Sequence, residues 1–145
     1  MGRTVLVVGG GGREHALAIG LVESSSVSSV HVAPGNAGTS QIATNHAVSA
    51  GDVDGQVALA QSLGADLVVV GPEAPLVAGL SDVLRGLGIA SFGPHSAGAM
   101  LEGSKDFAKQ VMLDLGIPTA GVQHLTEETD LEEAVDRWGA PWVVK

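Results

Sequence analysis

The sequence predicts an α/β protein, an open parallel sheet with helices on both faces, followed by the start of a second domain. Short apolar runs alternate with helix-period segments in the order β-α-β-α-β-α-β, the pattern of parallel strands joined by crossover helices. The apolar residues are mostly Val, Leu, Ile and Ala: 45% of the chain is hydrophobic, 3% is aromatic and there is no Tyr. That composition suits strands buried on both faces. The 21 glycines gather at apparent strand ends, where they serve as turns and caps.

Taken in order, Thr4 to Val8 (TVLVV) predicts the first strand, and the spacing predicts a helix over 13–23 with Ala16, Leu17, Gly20 and Leu21 on one face. SSSVSS at 24–29 reads as a polar turn. Val30 to Ala33 predicts a second strand that ends at Pro34 and the loop PGNAGT. Residues 54–63 have helical spacing, and 66–70 form a third strand, apolar from Leu67 on, that stops at GPEAPL. Pro75 fits the first turn of a helix running to Leu87 and closed by Gly88, since the missing N–H costs nothing there. Ile89 to Phe92 predicts the fourth strand.

After Gly93-Pro94 the character changes. Ser96 is placed to cap a short helix, and Ser104 to cap a longer one with Phe107, Val111 and Leu115 as a stripe, ended by Gly116 and Pro118. Thr129-x-x-Glu132 predicts a capping box ahead of Leu131, Val135 and Trp138. APWVVK then opens a strand at the end of the chain. These signals predict a complete domain over 1–102 and an incomplete one over 103–145.

Several function classes are disfavoured by composition. Sixteen acids against seven bases leave a net charge of −9, which argues against a nucleic acid partner. Without Cys there is no disulfide, thiolate nucleophile or Cys-bound metal. His15, His31, His46, His95 and His124 are scattered without metal-ligand spacing, so no metal site is expected. No apolar run approaches the roughly 18 residues of a membrane span, and no targeting segment is evident, so a cytoplasmic protein without a membrane partner is expected.

Three glycine-bearing loops remain, GGGGRE, PGNAGT and GPEAP, each at the carboxyl end of a predicted strand. They do not spell a dinucleotide site. The third glycine of G-x-G-x-x-G is replaced by Glu14 or His15, depending on the start, and the second strand ends in Ala33-Pro34 where a ribose-binding acid is wanted. Arg13 follows Gly12 where a Walker A loop needs Lys. A Rossmann-like sheet still binds ligands at this edge, in the crevice at its topological switch point. Gly-rich backbone at a helix N-terminus suits an anion, and Glu14 and Glu73 suit sugar hydroxyls. The chemistry suggests a sugar phosphate, while plain tight turns of short α/β connections remain the alternative.

The wording of these segments is more specific than their chemistry. VVGGGGREHALA, APGNAGT, VVVGPEAPLVAG, FGP, LEGSKDFAK and GIPTA, in that order from about Val5 to Lys145, closely resemble the glycinamide ribonucleotide synthetase (phosphoribosylamine–glycine ligase) family of purine synthesis. GREHA and PGNAGT favour it over the related biotin carboxylases and formate-dependent transformylases. The resemblance implies a pre-ATP-grasp domain followed by the truncated start of an ATP-grasp domain. It implies ligation of glycine to 5-phosphoribosylamine, with ATP consumed through a glycyl phosphate and with Mg²⁺ or Mn²⁺ as cofactor. On that pattern Gly10, Gly11 and Gly12 bring backbone to the sugar phosphate, Glu14 and Glu73 orient ribose hydroxyls, and Asn36, Gly38 and Thr39 line the opposite loop. Lys105 and Lys145 fall at ATP-binding lysine positions, and no residue is implied as a catalytic nucleophile or metal ligand. In the family the strand bearing Lys145 leads into the loop that covers ATP and then into the metal-holding acids. The 145-residue chain alone is therefore expected to be inactive. A stand-alone sugar-phosphate-binding or assembly module is the alternative, and the oligomeric state is left open.

Overall fold

Strand β1 (Arg3–Gly9) runs through the middle of a five-stranded parallel sheet in the order β3-β2-β1-β4-β5. The other strands are β2 (Val27–Pro34), β3 (Thr44–Asn45), β4 (Leu67–Val70) and β5 (Ala90–Phe92). The computed structural model describes residues 2–123, 125 and 128–141, without the side chains of 128–130. The chain divides into two units, Met1–Gly103 and Ser104–Lys145.

In the first unit the chain lays β1, β2 and β3 outward on one side, then crosses back to place β4 and β5 on the other side of β1. Val5 of β1 is paired with Val30 of β2 and with Leu67 of β4. Because strand side chains alternate, the valine run feeds two cores at once. Leu6 and Val8 pack with Val68, Val70, Leu76, Leu80 and Leu84 on one face. Val5 and Val7 pack with Val30, Val32, Val69 and Ala18 on the other. Val5 to Val8 are all at most 1% exposed, which makes β1 the spine of the unit.

The helices are α1 (Gly12–Val22), α2 (Val53–Leu63), α3 (Glu73–Val77), α4 (Leu80–Gly86) and α5 (Ser96–Gly103), with a 3₁₀ turn at Thr39–Gln41. Several features differ from the sequence expectation. The 3₁₀ turn and β3 lie in a stretch too short for periodicity to reveal. β2 begins at Val27, inside the segment read as a turn, where Ser29 pairs with Thr4 and donates its hydroxyl to Thr4 Oγ1 at 3.1 Å. The helix predicted from Pro75 to Leu87 is two helices, broken where Gly79 takes a left-handed φ of 91°. The break re-aims the chain, so that Leu76 of α3 and both Leu80 and Leu84 of α4 reach the same core. On α1, Ala16, Leu17 and Gly20 are exposed, while Glu14 and Ala18 are buried and Leu21 packs against the core.

Ser96 is the first residue of α5 and not its cap. The acceptor comes from α4: Asp82 Oδ2 receives the Ser96 backbone N–H at 2.8 Å, and Asp82 Oδ1 receives His95 Nδ1 at 2.5 Å. These bonds, the backbone donor first, hold the Asp82 carboxyl down to about 2.

In the second unit, α6 (Lys105–Asp114) starts as expected, with Ser104 Oγ accepting the Phe107 N–H at 3.2 Å. Its Phe107, Val111 and Leu115 stripe is not buried; Phe107 is 41% and Leu115 70% exposed. Helix α7 (Glu128–Trp138) already includes Thr129, so the predicted capping box falls inside its first turn. Trp138 is 48% exposed and donates Nε1–H to Gln123 Oε1 at 3.1 Å. The strand predicted at the end of APWVVK lies at 142–145, outside the described residues.

Leu6→Ala should cost about 2–5 kcal/mol in equilibrium unfolding, because the spine cannot collapse around the vacated volume. Asp82 makes a separate prediction in acid. A carboxyl whose folded value lies below the unfolded 3.8 contributes stability above that pH and loses it as pH falls toward about 2. The stability gap between the wild-type chain and Asp82→Asn, followed by thermal unfolding, should therefore be lost progressively from about pH 5 down toward pH 2.

Candidate functional site

All strands being parallel, the loops after β1, β2, β4 and β5 emerge at one edge of the sheet. The connection from β1 leads to β2 on one side, and that from β4 leads to β5 on the other, so β1 and β4 flank the topological switch point. An open cleft of about 280 Å³ lies there, lined by Gly11, Gly12, Arg13, Glu14, Pro72 and Glu73.

The first loop is held from beneath by Glu14. It is only 6% exposed, and its Oε2 accepts the Gly11 N–H at 2.7 Å, as a third-position glutamate does in a capping box. A Cβ on Gly71 would overlap the Glu14 carboxylate, so the close approach of α1 to the third loop depends on glycine at that position. The glycine missing from α1 in the dinucleotide pattern is thus supplied from the neighbouring strand's end. Arg13 closes the same seam from outside, donating Nη1–H to Gly71 O at 2.6 Å.

Asn36 ties the first loop to the second. Its Nδ2 donates to Gly10 O at 2.9 Å and Gly11 O at 3.3 Å, while its Oδ1 accepts from Gly38 N at 2.7 Å and Thr39 N at 3.0 Å. Thr39 is fully buried, and its Oγ1 accepts the Asn36 N–H at 2.8 Å. Asn45, beside β2 on the edge strand, completes the support by donating Nδ2–H to Asn36 O at 2.9 Å.

Asn36 and Thr39 therefore spend their polar groups on the loops themselves. Gly10 backs onto Gly35 O, Gly38 lies against the His15 ring, and Gly12 faces open space. The first intrahelical bond of α1 runs from His15 N to Gly11 O at 3.1 Å, which leaves the amides of Gly12, Arg13 and Glu14 at the positive end of the helix. Glu73 opens α3 and is exposed in the cleft. Of the residues marked in the sequence, the structure thus gathers Gly10 to Gly12, Glu14, Asn36, Gly38, Thr39 and Glu73 around one edge. Lys105 is exposed at the first residue of α6 in the second unit, and Lys145 lies outside the described residues. Arg13, Asn45 and Gly71 were not marked. Only Arg13 carried a local signal, a cation between the glycine run and Glu14.

The model of the family described as phosphoribosylglycinamide synthetase, N domain, matches residues 3–102, the segment that carries all three glycine loops. The chain belongs to that family. It is 52% identical to the phosphoribosylamine–glycine ligase of Streptomyces coelicolor, with 97% of this chain and 34% of the relative covered. It is 49% identical to the Mycobacterium tuberculosis ligase of the same name, with 97% and 35% covered. The chain thus spans about a third of the length of these relatives. Among solved structures, the phosphoribosylamine–glycine ligase of Thermotoga maritima superposes with a TM-score of 0.65 at 30% identity, covering 94% of this chain and 31% of the other. The biotin carboxylase domain of Hydrogenobacter thermophilus 2-oxoglutarate carboxylase, solved with MgADP, shares the fold at a TM-score of 0.71 and 21% identity, with 97% and 34% covered.

Asn36→Ala removes at once the two bonds to the first loop and the two side-chain acceptances within the second. It should cost about 1–3 kcal/mol in chemical denaturation and speed hydrogen exchange at the Gly38 and Thr39 amides by more than at the β1 amides, which report the global loss alone.

Proposed function

We propose that this chain supplies the sugar-phosphate side of a ligase that joins glycine to 5-phosphoribosylamine, yielding glycinamide ribonucleotide, ADP and phosphate. The reading is carried by the cleft at the β1/β4 switch point, where the tied glycine loops and the start of α1 form a rigid backbone cradle beside one exposed carboxylate. It is supported by the names of the relatives and by the family model over residues 3–102. Residues 1–102 are read as the substrate domain and 103–145 as the beginning of the ATP-grasp domain.

An anion binds an acidic chain when backbone dipoles do the binding, because the amides at a helix N-terminus carry partial positive charge at fixed positions. Gly12, with no neighbour where a side chain would stand, lets the phosphate approach that backbone, and Arg13 adds a full charge at the rim. Glu73 accepts hydrogen bonds from ribose hydroxyls. Glu14, Asn36, Gly38 and Thr39 act on the substrate by holding the loops. With the sugar fixed by its phosphate and hydroxyls, its amine is aimed at the carbonyl of an activated glycine, and positioning supplies much of the rate.

Activation transfers the ATP γ-phosphoryl group to the glycine carboxylate; attack by the amine then expels phosphate. Lys105 and Lys145 are read as ATP-side lysines of the full-length protein. A divalent cation, Mg²⁺ or Mn²⁺, neutralises charge on the transferred group when bound. Among the described residues no three His, Cys, Asp or Glu side chains converge on a metal position. No described helix is long and apolar enough to cross a membrane, and the proposed setting is the cytoplasm.

Ribose 5-phosphate is a stable stand-in for the labile amine. Calorimetric titration of the 145-residue chain should show one site, and Glu73→Gln should weaken it about tenfold without moving the unfolding midpoint. Absence of binding, or equal binding by the variant, would count against this cleft. Glycine-dependent ATP hydrolysis by the chain alone would overturn the assignment of ligation to the full-length protein.

A further inference from the structure

Away from the glycine loops, two histidines remain that neither the cleft nor the fold has used. His31 of β2 and His46, just past β3, face each other across the sheet edge, joined by a hydrogen bond of 2.9 Å between His31 Nδ1 and His46 Nε2. Their ring centroids are 5.1 Å apart, with the ring planes inclined at 44°. Both side chains are half-buried, and His31 lines an open groove of about 390 Å³ along the β2 edge with Ser28, Ser29, Ser40 and Thr44.

We propose that His31 and His46 form a two-nitrogen chelate for a late first-row divalent cation, Cu²⁺ before Ni²⁺, with water in the remaining positions. The separation argues for the class of metal. With metal–nitrogen bonds of about 2.0 Å, nitrogens 2.9 Å apart subtend roughly 90° at the metal. That is the cis angle of tetragonal Cu²⁺ or Ni²⁺, whereas tetrahedral Zn²⁺ needs the pair to open by several tenths of an ångström. One of the two facing nitrogens carries the proton of their hydrogen bond, and a metal takes the place of that proton once the donor ring moves it to its other nitrogen. The open groove leaves His31 accessible to a hydrated ion, and the chain's charge of −9 favours cations. No third His, Cys, Asp or Glu joins the pair among the described residues, which makes this an exchangeable site and not a structural one.

The placement gives binding a consequence. His46 follows Asn45, whose side chain supports Asn36 and Thr39. A metal bridging His31 to His46 clamps the edge strand to β2 and stiffens the second glycine loop from behind. The chelate does not depend on the ligase reading.

The test is titration of the 145-residue chain with Cu²⁺, read by calorimetry and by electron paramagnetic resonance. One equivalent should bind with two imidazole nitrogens in the equatorial plane and raise the unfolding midpoint. His31→Gln and His46→Gln should each lower affinity at least tenfold, while His15→Gln and His95→Gln leave it unchanged. If either of the first two variants fails to fold, the imidazole proton signals of the wild-type chain decide. Selective broadening at His31 and His46 by substoichiometric Cu²⁺ supports the chelate. Broadening centred on other histidines or on the N-terminal amine overturns it, as does Cu²⁺ binding that the two variants leave intact.

Discussion

Glu14 is a carboxylate held almost out of water beneath a glycine loop, and the arrangement of the candidate site follows from what it grips. Its bond to the Gly11 amide completes the first turn of α1, and its bulk fits against a strand end where only glycine leaves room. A buried carboxylate without a donor would be costly, so the loop is constrained to keep its amide in place. The same anchor sets the rotation of α1, with Ala18 following Glu14 onto the sheet and Leu17 turned outward.

Around this anchor, the loops form a chain of mutual restraints. Asn36 joins the first loop to the second, Asn45 and Thr39 brace Asn36, and Arg13 joins the first loop to the third. Much of this cradle is backbone, which is why an acidic protein can present it to an anion: the positive potential comes from oriented amides at one helix terminus, and the surplus of carboxylates elsewhere is screened by solvent. The side chains with the strongest motif signal, Asn36 and Thr39, serve the geometry of the loops, while the exposed cleft is left to Gly12, Arg13 and Glu73.

The legible part of the fold was the part built from local signals. Val5 to Val8 announced a strand buried on both faces because every residue is apolar and mostly β-branched. Ser104 announced its helix because a cap is a bond between residues three apart. The carboxyl-end placement of the glycine loops followed from parallel strand order alone. The illegible parts were those in which a distant partner replaced the local one. Ser96 looked like a cap, but Asp82 receives its amide from another helix. Leu17 looked inward by spacing, but the burial of Glu14 turned the helix. The break at Gly79 is invisible to periodicity because apolar residues continue through it, and β3 is too short to have a pattern.

By itself the sequence determined the strand order type, the position of three glycine loops at one edge, and the family that their wording resembles. These depend on period, punctuation and composition, which are read along the chain. The tertiary structure decided which carboxylate is buried and which is offered to a ligand, which loops are tied together, and that His31 meets His46. Those facts belong to pairs of residues far apart in sequence, and a hydrogen bond between them exists only once the sheet has brought their strands side by side.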